Sequence, residues 1–172
     1  MPALQDLIVR SARALSAPYY TPVQTEAAIR YVFGVDSQLI ADGTYFLIEN
    51  EGEVVACGGW SKRRTLFGGD QAKAGPDPLL DPAAEAARIR AFFVDSRFAR
   101  RGLGRHLIAE CLKSARAAGF RSLELVATLP GEPLYLAAGF TITERFELAL
   151  PEGVRVPVVR MRLALQAQGI RA

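Results

Sequence analysis

Histidine is almost missing from this chain of 172 residues, which holds one, and cysteine is scarce, with two. So few sulfur and imidazole groups exclude a disulfide framework and a spaced zinc-ligand array, and no metal is expected. Cys57 falls in a strand-like run and Cys111 in a helical one, and both are read as buried free thiols. A Cys–His nucleophilic pair is excluded as well, because His106 and Cys111 stand five residues apart on different faces of one helical stretch. No apolar run approaches the roughly 18 residues that a membrane span needs. No basic-then-apolar leader with a cleavage site opens the sequence, so a cytoplasmic location is expected. The net charge is a mild +3 and comes mostly from arginine. There is no lysine-rich stripe and no aromatic RNA-binding pattern, so nucleic acid is not an expected partner. What the chain does have is apolar mass, 50% of its residues, enough for the core of one domain. Neither an internal repeat nor a linker marks a second one.

The spacing of apolar residues gives an α/β (α+β) order of elements. Leu4, Leu7, Ile8 and Leu15 share one face of a helix over 3–15. Thr21-Pro22 starts a second helix as cap and first-turn proline, with a face of Val23, Ala27, Ile29, Tyr31 and Val32, and Gly34 stops it. Strands follow over 44–48 and 53–60, joined by the turn 49–52. The stretch 61–84 is rich in Gly, Pro and Asp and reads as a long surface loop. Next come a strand over 89–94, a helix from Leu103 to near Gly119, a strand over 122–127 and a short helix over 132–138. A final hairpin, 140–150 and 154–165, turns at Pro151-Glu152-Gly153. The domain is placed at 1–165, with 166–172 as a frayed tail.

The segment from Phe92 to Arg105 carries the most chemistry. Phe92, Phe93 and Val94 end a buried strand; Ala99, Arg100, Arg101, Gly102, Leu103, Gly104 and Arg105 then form a basic glycine loop that runs into a helix. Glycines let backbone approach a ligand closely, and the first helical turn offers unpaired N–H groups at its positive dipole end. Such a site holds a phosphate or diphosphate. Arginine beside it adds a planar, two-pronged donor, although Arg97, Arg101 and Arg105 also fit a solvated surface.

Ala99-Arg100-Arg101-Gly102-Leu103-Gly104 resembles the coenzyme-A loop of the GNAT N-acetyltransferases, Gln/Arg-x-x-Gly-x-Gly/Ala, and departs from it at Ala99. Leu134-Tyr135-Leu136-Ala137-Ala138-Gly139-Phe140 is similar to the same family's aromatic-Tyr-x-x-x-Gly-Phe signature, with Leu134 at the aromatic position. The order and separation of the two segments also suit that family. The resemblance implies one domain with a mixed, mostly antiparallel sheet flanked by helices. The opening strand usual in the family is missing here. The exposed edge this leaves would suit a dimer partner or the N-terminal helix.

The resemblance further implies acetyl-CoA as donor and a primary amine, on a small molecule or a peptide, as acceptor, attacked directly and without a covalent enzyme intermediate. The strand ending at Phe92, Phe93 and Val94 would lie beside the cofactor's amide arm, and a backbone N–H there would polarise the thioester carbonyl. Tyr135 matches the family's general acid for the leaving thiolate; the alternative is a core aromatic near the Gly139-Phe140 corner. Some members use a glutamate as base, but that position falls at Arg88 here. Glu85 lies too early, Glu132 suits a helix start, and His106 sits on the phosphate side. Trp60, Tyr19, Tyr20 and Tyr45 are candidates for the acceptor pocket, with core packing as the alternative for each. Lys62, Arg63 and Arg64 would attract an acidic acceptor or form a solvated turn. Two other classes stay open: a non-catalytic acyl-CoA sensor, which a blocked acceptor cleft would favour, and a phosphate-binding domain for another nucleotide.

Overall fold

The computed structural model describes residues 1–166; the expected tail beyond Gln166 lies outside them. The first helix, α1 (Pro2–Ser16), begins at a proline whose missing N–H costs nothing in a first turn, and buries Leu4, Leu7, Ile8 and Ala12. Thr21 caps α2 (Pro22–Tyr31): its hydroxyl accepts from the Gln24 N–H while the Gln24 side chain accepts from the Thr21 N–H. The expected apolar face of this helix forms only in part: Val32 is buried and Ala27, Ile29 and Tyr31 half-buried, but Val23 is exposed and the buried residues within the helix are Thr25 and Ala28. A short helix absent from the periodicity, α3 (Ser37–Ala41), follows the capping carboxylate of Asp36, which accepts from the Gln38 N–H.

Six strands form one sheet: β1 (Tyr45–Asn50), β2 (Glu53–Ser61), β3 (Ala87–Val94), β4 (Ser122–Thr128), β5 (Thr141–Ala149) and β6 (Arg155–Ala164). Their order is β1-β2-β3-β4-β6-β5, and only β3 and β4 run parallel. Among the described residues no strand precedes α1, so β1 is one edge of the sheet. One face packs on α4 (Leu103–Ala117) and α5 (Glu132–Ala137), around Ile108, Cys111, Leu123, Leu125 and Met161. The other packs on α1, where Leu4, Leu7 and Ile8 meet Cys57 and Phe93. No helix among the described residues is long and apolar enough to cross a membrane.

Two irregularities prepare the site. In the β2–β3 ladder Cys57 faces Phe93 and Gly59 faces Arg90, so Gly58 stands opposite both Ala91 and Phe92. This is a β-bulge, and its extra residue, Ala91, has φ of 56°. The Phe92 ring lies over Gly58, where a Cβ would come within 2.7 Å of it. Glycine is required there for space. The second irregularity is that β3 and β4 pair only at Ala87–Leu123 and Arg88–Glu124. Beyond those positions the strands diverge.

Gly58→Ala should therefore drive a methyl into the Phe92 ring and lower stability by about 1–3 kcal/mol, the usual range for overpacking. Urea unfolding measures it; an unchanged midpoint would contradict the packing described.

Candidate active site

The divergence of β3 and β4 opens a cleft of about 220 Å³ through the sheet. Ala91, Phe92, Phe93 and Val94 line one strand wall, and Leu125, Val126, Ala127 and Thr128 the other. Because successive side chains of a strand point to opposite faces, Phe92 meets Tyr135 edge-on at 6.0 Å while Phe93 meets Phe33 at 5.6 Å. The Asp95 N–H donates to the Val55 carbonyl in β2. In extended chain the preceding amide, Val94, then points the other way, toward the cleft.

Tyr135 sits on α5 with its ring held between Phe92 and Phe140, both edge-on. Its hydroxyl makes no hydrogen bond to another described residue, and the side chain lines the cleft. Burial raises the phenol's pKa well above its ordinary value, with Cys111 adding to the effect. Tyr135 is therefore protonated at neutral pH and can donate.

Downstream of β3, a 3₁₀ turn (Ser96–Phe98) leads into the glycine loop. The backbone N–H groups of Arg100, Arg101, Gly102, Leu103, Gly104 and Arg105 have no partner among the described residues; the first amide to pair in α4 is that of His106, which donates to the Gly102 carbonyl. Arg100 and Gly102 have φ of 61° and 85°. Arg100, Arg101 and Arg105 are exposed and have no carboxylate partner among the described residues, and the Arg101 guanidinium lies over the Phe98 ring at 5.3 Å. Arg97 does not join them. It is held by Asp95 and Glu53 at 2.7 and 2.6 Å, and this pairing, led by Arg97, keeps the Asp95 carboxyl far below its usual range.

The two glycines of the loop have different tasks. Gly102 has open space where a Cβ would stand, and its positive φ is the constraint. A Cβ on Gly104 would lie 2.8 Å from the Leu134 side chain. Gly104 thus lets α4 dock on α5, and it connects the loop to the cleft, which Leu134 lines.

On the α1 side the cleft is walled by Ser11, Ala12, Leu15 and Ser16, by Val32, Phe33 and Gly34, and by Leu66–Gly69 from the long loop. That loop is fastened down. Arg90 in β3, 3% exposed, donates to the carboxylate of Asp36 at 2.8 Å and to the carbonyls of Thr65 and Gly68, and Lys73 also pairs with Asp36. The Gly69 N–H donates to the Val32 carbonyl at 2.8 Å. Desolvation lowers the Arg90 pKa and Asp36 opposes the shift.

The residues expected in the acceptor pocket lie elsewhere. Trp60 is buried under α4, its indole N–H donating to Ser114 Oγ at 2.8 Å and its ring edge-on to Phe120. Tyr20 is buried too. Its hydroxyl donates to the Pro157 carbonyl at 2.6 Å and accepts from the Leu129 N–H at 2.8 Å, and burial pushes its pKa up to about 12. Tyr19 is exposed and outside the cleft. Glu132 is tied to Arg145, Glu85 to Arg64, and Arg63 to Asp42; His106 is on the exposed surface of α4. The walls that do line this side, Ser11 to Ser16 and Leu66–Gly69, carry no motif. The amphipathic phase of α1 is their only sequence signal, since Leu15 falls on its buried stripe.

A six-stranded sheet split beside a bulge, with a glycine loop feeding a helix, is the architecture of an acyl-CoA-dependent acyltransferase. A sequence model of the acetyltransferase (GNAT) family matches residues 9–140, and the chain belongs to that family. No curated protein matches it. Among solved structures, a GCN5-related N-acetyltransferase from Rhodopseudomonas palustris superposes with a TM-score of 0.68 at 18% identity, covering 95% of this chain and 89% of the other. The PaiA N-acetyltransferase of Thermoplasma acidophilum, solved with coenzyme A, gives 0.63 at 10% identity over 95% and 91%. The ribosomal-protein-alanine N-acetyltransferase of Brucella melitensis gives 0.59 at 16% identity over 95% of each chain. At these identities the likeness is one of fold.

Gly104→Ala should push Leu134 aside and cost about 1–3 kcal/mol. Adding Leu134→Ala should recover part of that loss relative to Leu134→Ala alone. A double-mutant cycle read by urea unfolding measures the coupling, and strict additivity would contradict the contact.

Proposed function

We propose that this chain transfers an acetyl group from acetyl-CoA to a primary amine, with Tyr135 as the acid that protonates the departing thiolate. The observation that carries the proposal is the nearness of two features. Six amides without a partner among the described residues (100–105) lie beside Leu134, whose side chain borders Gly104 and also lines the cleft into which Tyr135 presents a protonated, unpartnered hydroxyl. This arrangement fits the donor. The amides of Arg100 to Arg105 suit the diphosphate, with Arg100, Arg101 and Arg105 free to add charge. The unpaired edge of β3 from Ala91 to Val94 suits the amide arm.

Acetyl-CoA supplies the acyl group as a thioester when bound. The Val94 amide directs its hydrogen toward the cleft, where it would stabilise negative charge on a carbonyl oxygen. Tyr135 holds its proton for the sulfur that leaves, and burial keeps that proton in place until the thiolate forms. Neither Cys57 nor Cys111 serves as a nucleophile, since both are buried and desolvation raises both thiol pKa values, that of Cys57 to about 11. The amine therefore attacks directly. No described carboxylate or imidazole lines the cleft to act as base, so the amine enters neutral. The cleft extends to walls from α1 and the long loop as well as from α5, and this room beyond the strands supports an enzyme over a sensor with a blocked acceptor site.

Acetyl-CoA at 100 times its Kd should stabilise the fold by about 2.7 kcal/mol through mass action, seen as a raised Tm. Tyr135→Phe should keep that shift and lower kcat at least about 100-fold. Absence of any shift at millimolar acetyl-CoA would overturn the proposal, and loss of the shift in Tyr135→Phe would make Tyr135 a structural residue.

A further inference from the structure

The charge around the α1-side arm of the cleft points to a class of acceptor. This inference rests on the acetyl-transfer proposal above and goes beyond it. Ala12, Leu15, Val32, Phe33, Leu66 and Phe67 give the arm apolar walls, and Ser11 and Ser16 are its neutral polar side chains. Arg90 is the only charged residue among those lining the cleft, and its guanidinium is turned to Asp36 and to the carbonyls of Thr65 and Gly68.

No carboxylate lines the cleft. Several on the surrounding segments are tied to other protein groups: Asp70 accepts from the Ser37 N–H and hydroxyl, and others meet cations. Asp36 is fully buried between Arg90 and Lys73. Asp95 is held by Arg97 and Arg10, and Glu132 by Arg145. Glu26, on α2, pairs with Arg13 at 2.7 Å. No described acid lines the arm to receive a second ammonium group, and a bare cation moved into such walls loses its hydration without compensation. A free carboxylate on the acceptor fares no better, because the one guanidinium present is fully engaged. The whole cleft holds about 220 Å³, shared between donor and acceptor ends, so the acceptor's buried part is small.

We infer that the acceptor is a small monoamine on an uncharged, largely apolar body, with Phe33 and Phe67 flanking that body, and that polyamines, aminoglycosides and free amino acids are excluded by charge. Only the reacting nitrogen need lose its proton before entry, and the apolar walls favour that neutral form.

Thiol release from acetyl-CoA tests this with phenethylamine and hexylamine against spermidine, kanamycin and lysine, and the thermal shift with acetyl-CoA is recorded on the same preparation. The two monoamines should show kcat/KM at least tenfold above the three charged acceptors. If the shift is present and a charged acceptor is used as well as or better than the monoamines, the acceptor assignment is overturned while the acetyl-transfer proposal stands. If there is no shift and no turnover of any amine, the acetyl-transfer proposal fails and the assignment fails with it. Phe67→Asp provides a second readout. Phe67 is partly exposed on the loop, and a carboxylate there should raise the ratio of 1,6-diaminohexane to hexylamine turnover at least tenfold. An unchanged ratio in a variant that keeps the acetyl-CoA shift would also overturn the assignment.

Discussion

Two buried features keep β3 from zipping onto β4 beyond Arg88, and the site exists because they do. The first is the bulge at Ala91. Its positive φ is sustained by the Phe92 ring over Gly58 and by the Tyr45 hydroxyl, which donates to the Ala91 carbonyl at 3.3 Å. Backbone strain of this kind persists only where the surroundings over-determine it. The second is the Asp36–Arg90 pair, one residue earlier in β3, which binds the strand to the 65–69 loop rather than to β4. A fully paired sheet would bury more hydrogen bonds. This chain leaves that ladder open and gains a slot with backbone on both sides.

The same economy governs charge. A buried carboxylate that loses its partner is expensive, so Asp36 and Asp95 are each held by two basic residues. Those pairings stiffen the walls, and they also withdraw acids and bases from the cleft. What stays reactive is neutral or backbone: the Tyr135 hydroxyl, the Val94 amide and the run of amides from Arg100 to Arg105. Such groups stabilise charge that appears during the reaction without carrying their own, which suits a thioester better than a charged base would.

The sequence revealed the loop end of this site far better than the α1 side of its cleft. Gly102, Gly104 and Tyr135 stand in local patterns whose spacing survives folding, so the loop, α4 and α5 were legible, as was the succession of strands along the chain. Even there, the reason for Gly104 was not, because the Leu134 side chain it accommodates is 30 residues away. Trp60 shows the opposite failure. A large aromatic beside paired glycines suggests a ligand wall, yet strand alternation turns it toward α4 and Ser114. The residues that line the cleft on its α1 side, Leu66 to Gly69 with Ser11, Ala12, Leu15 and Ser16, are brought together with the help of Arg90, Asp36 and the Gly69–Val32 hydrogen bond. Those contacts join segments tens of residues apart and leave no periodic trace. The helix α3 was hidden for a related reason: five residues are too few to show a period, and only its Asp36 cap marks it.

Backbone amide chemical shifts, followed by ¹⁵N NMR during titration, test the central claim most directly. Coenzyme A should move the amides of Arg100 to Arg105 and those of Phe92 to Val94, whereas pantetheine, which lacks the diphosphate, should move only the second group. Resonances of Arg100 to Arg105 that stay in place at saturating coenzyme A would contradict the account.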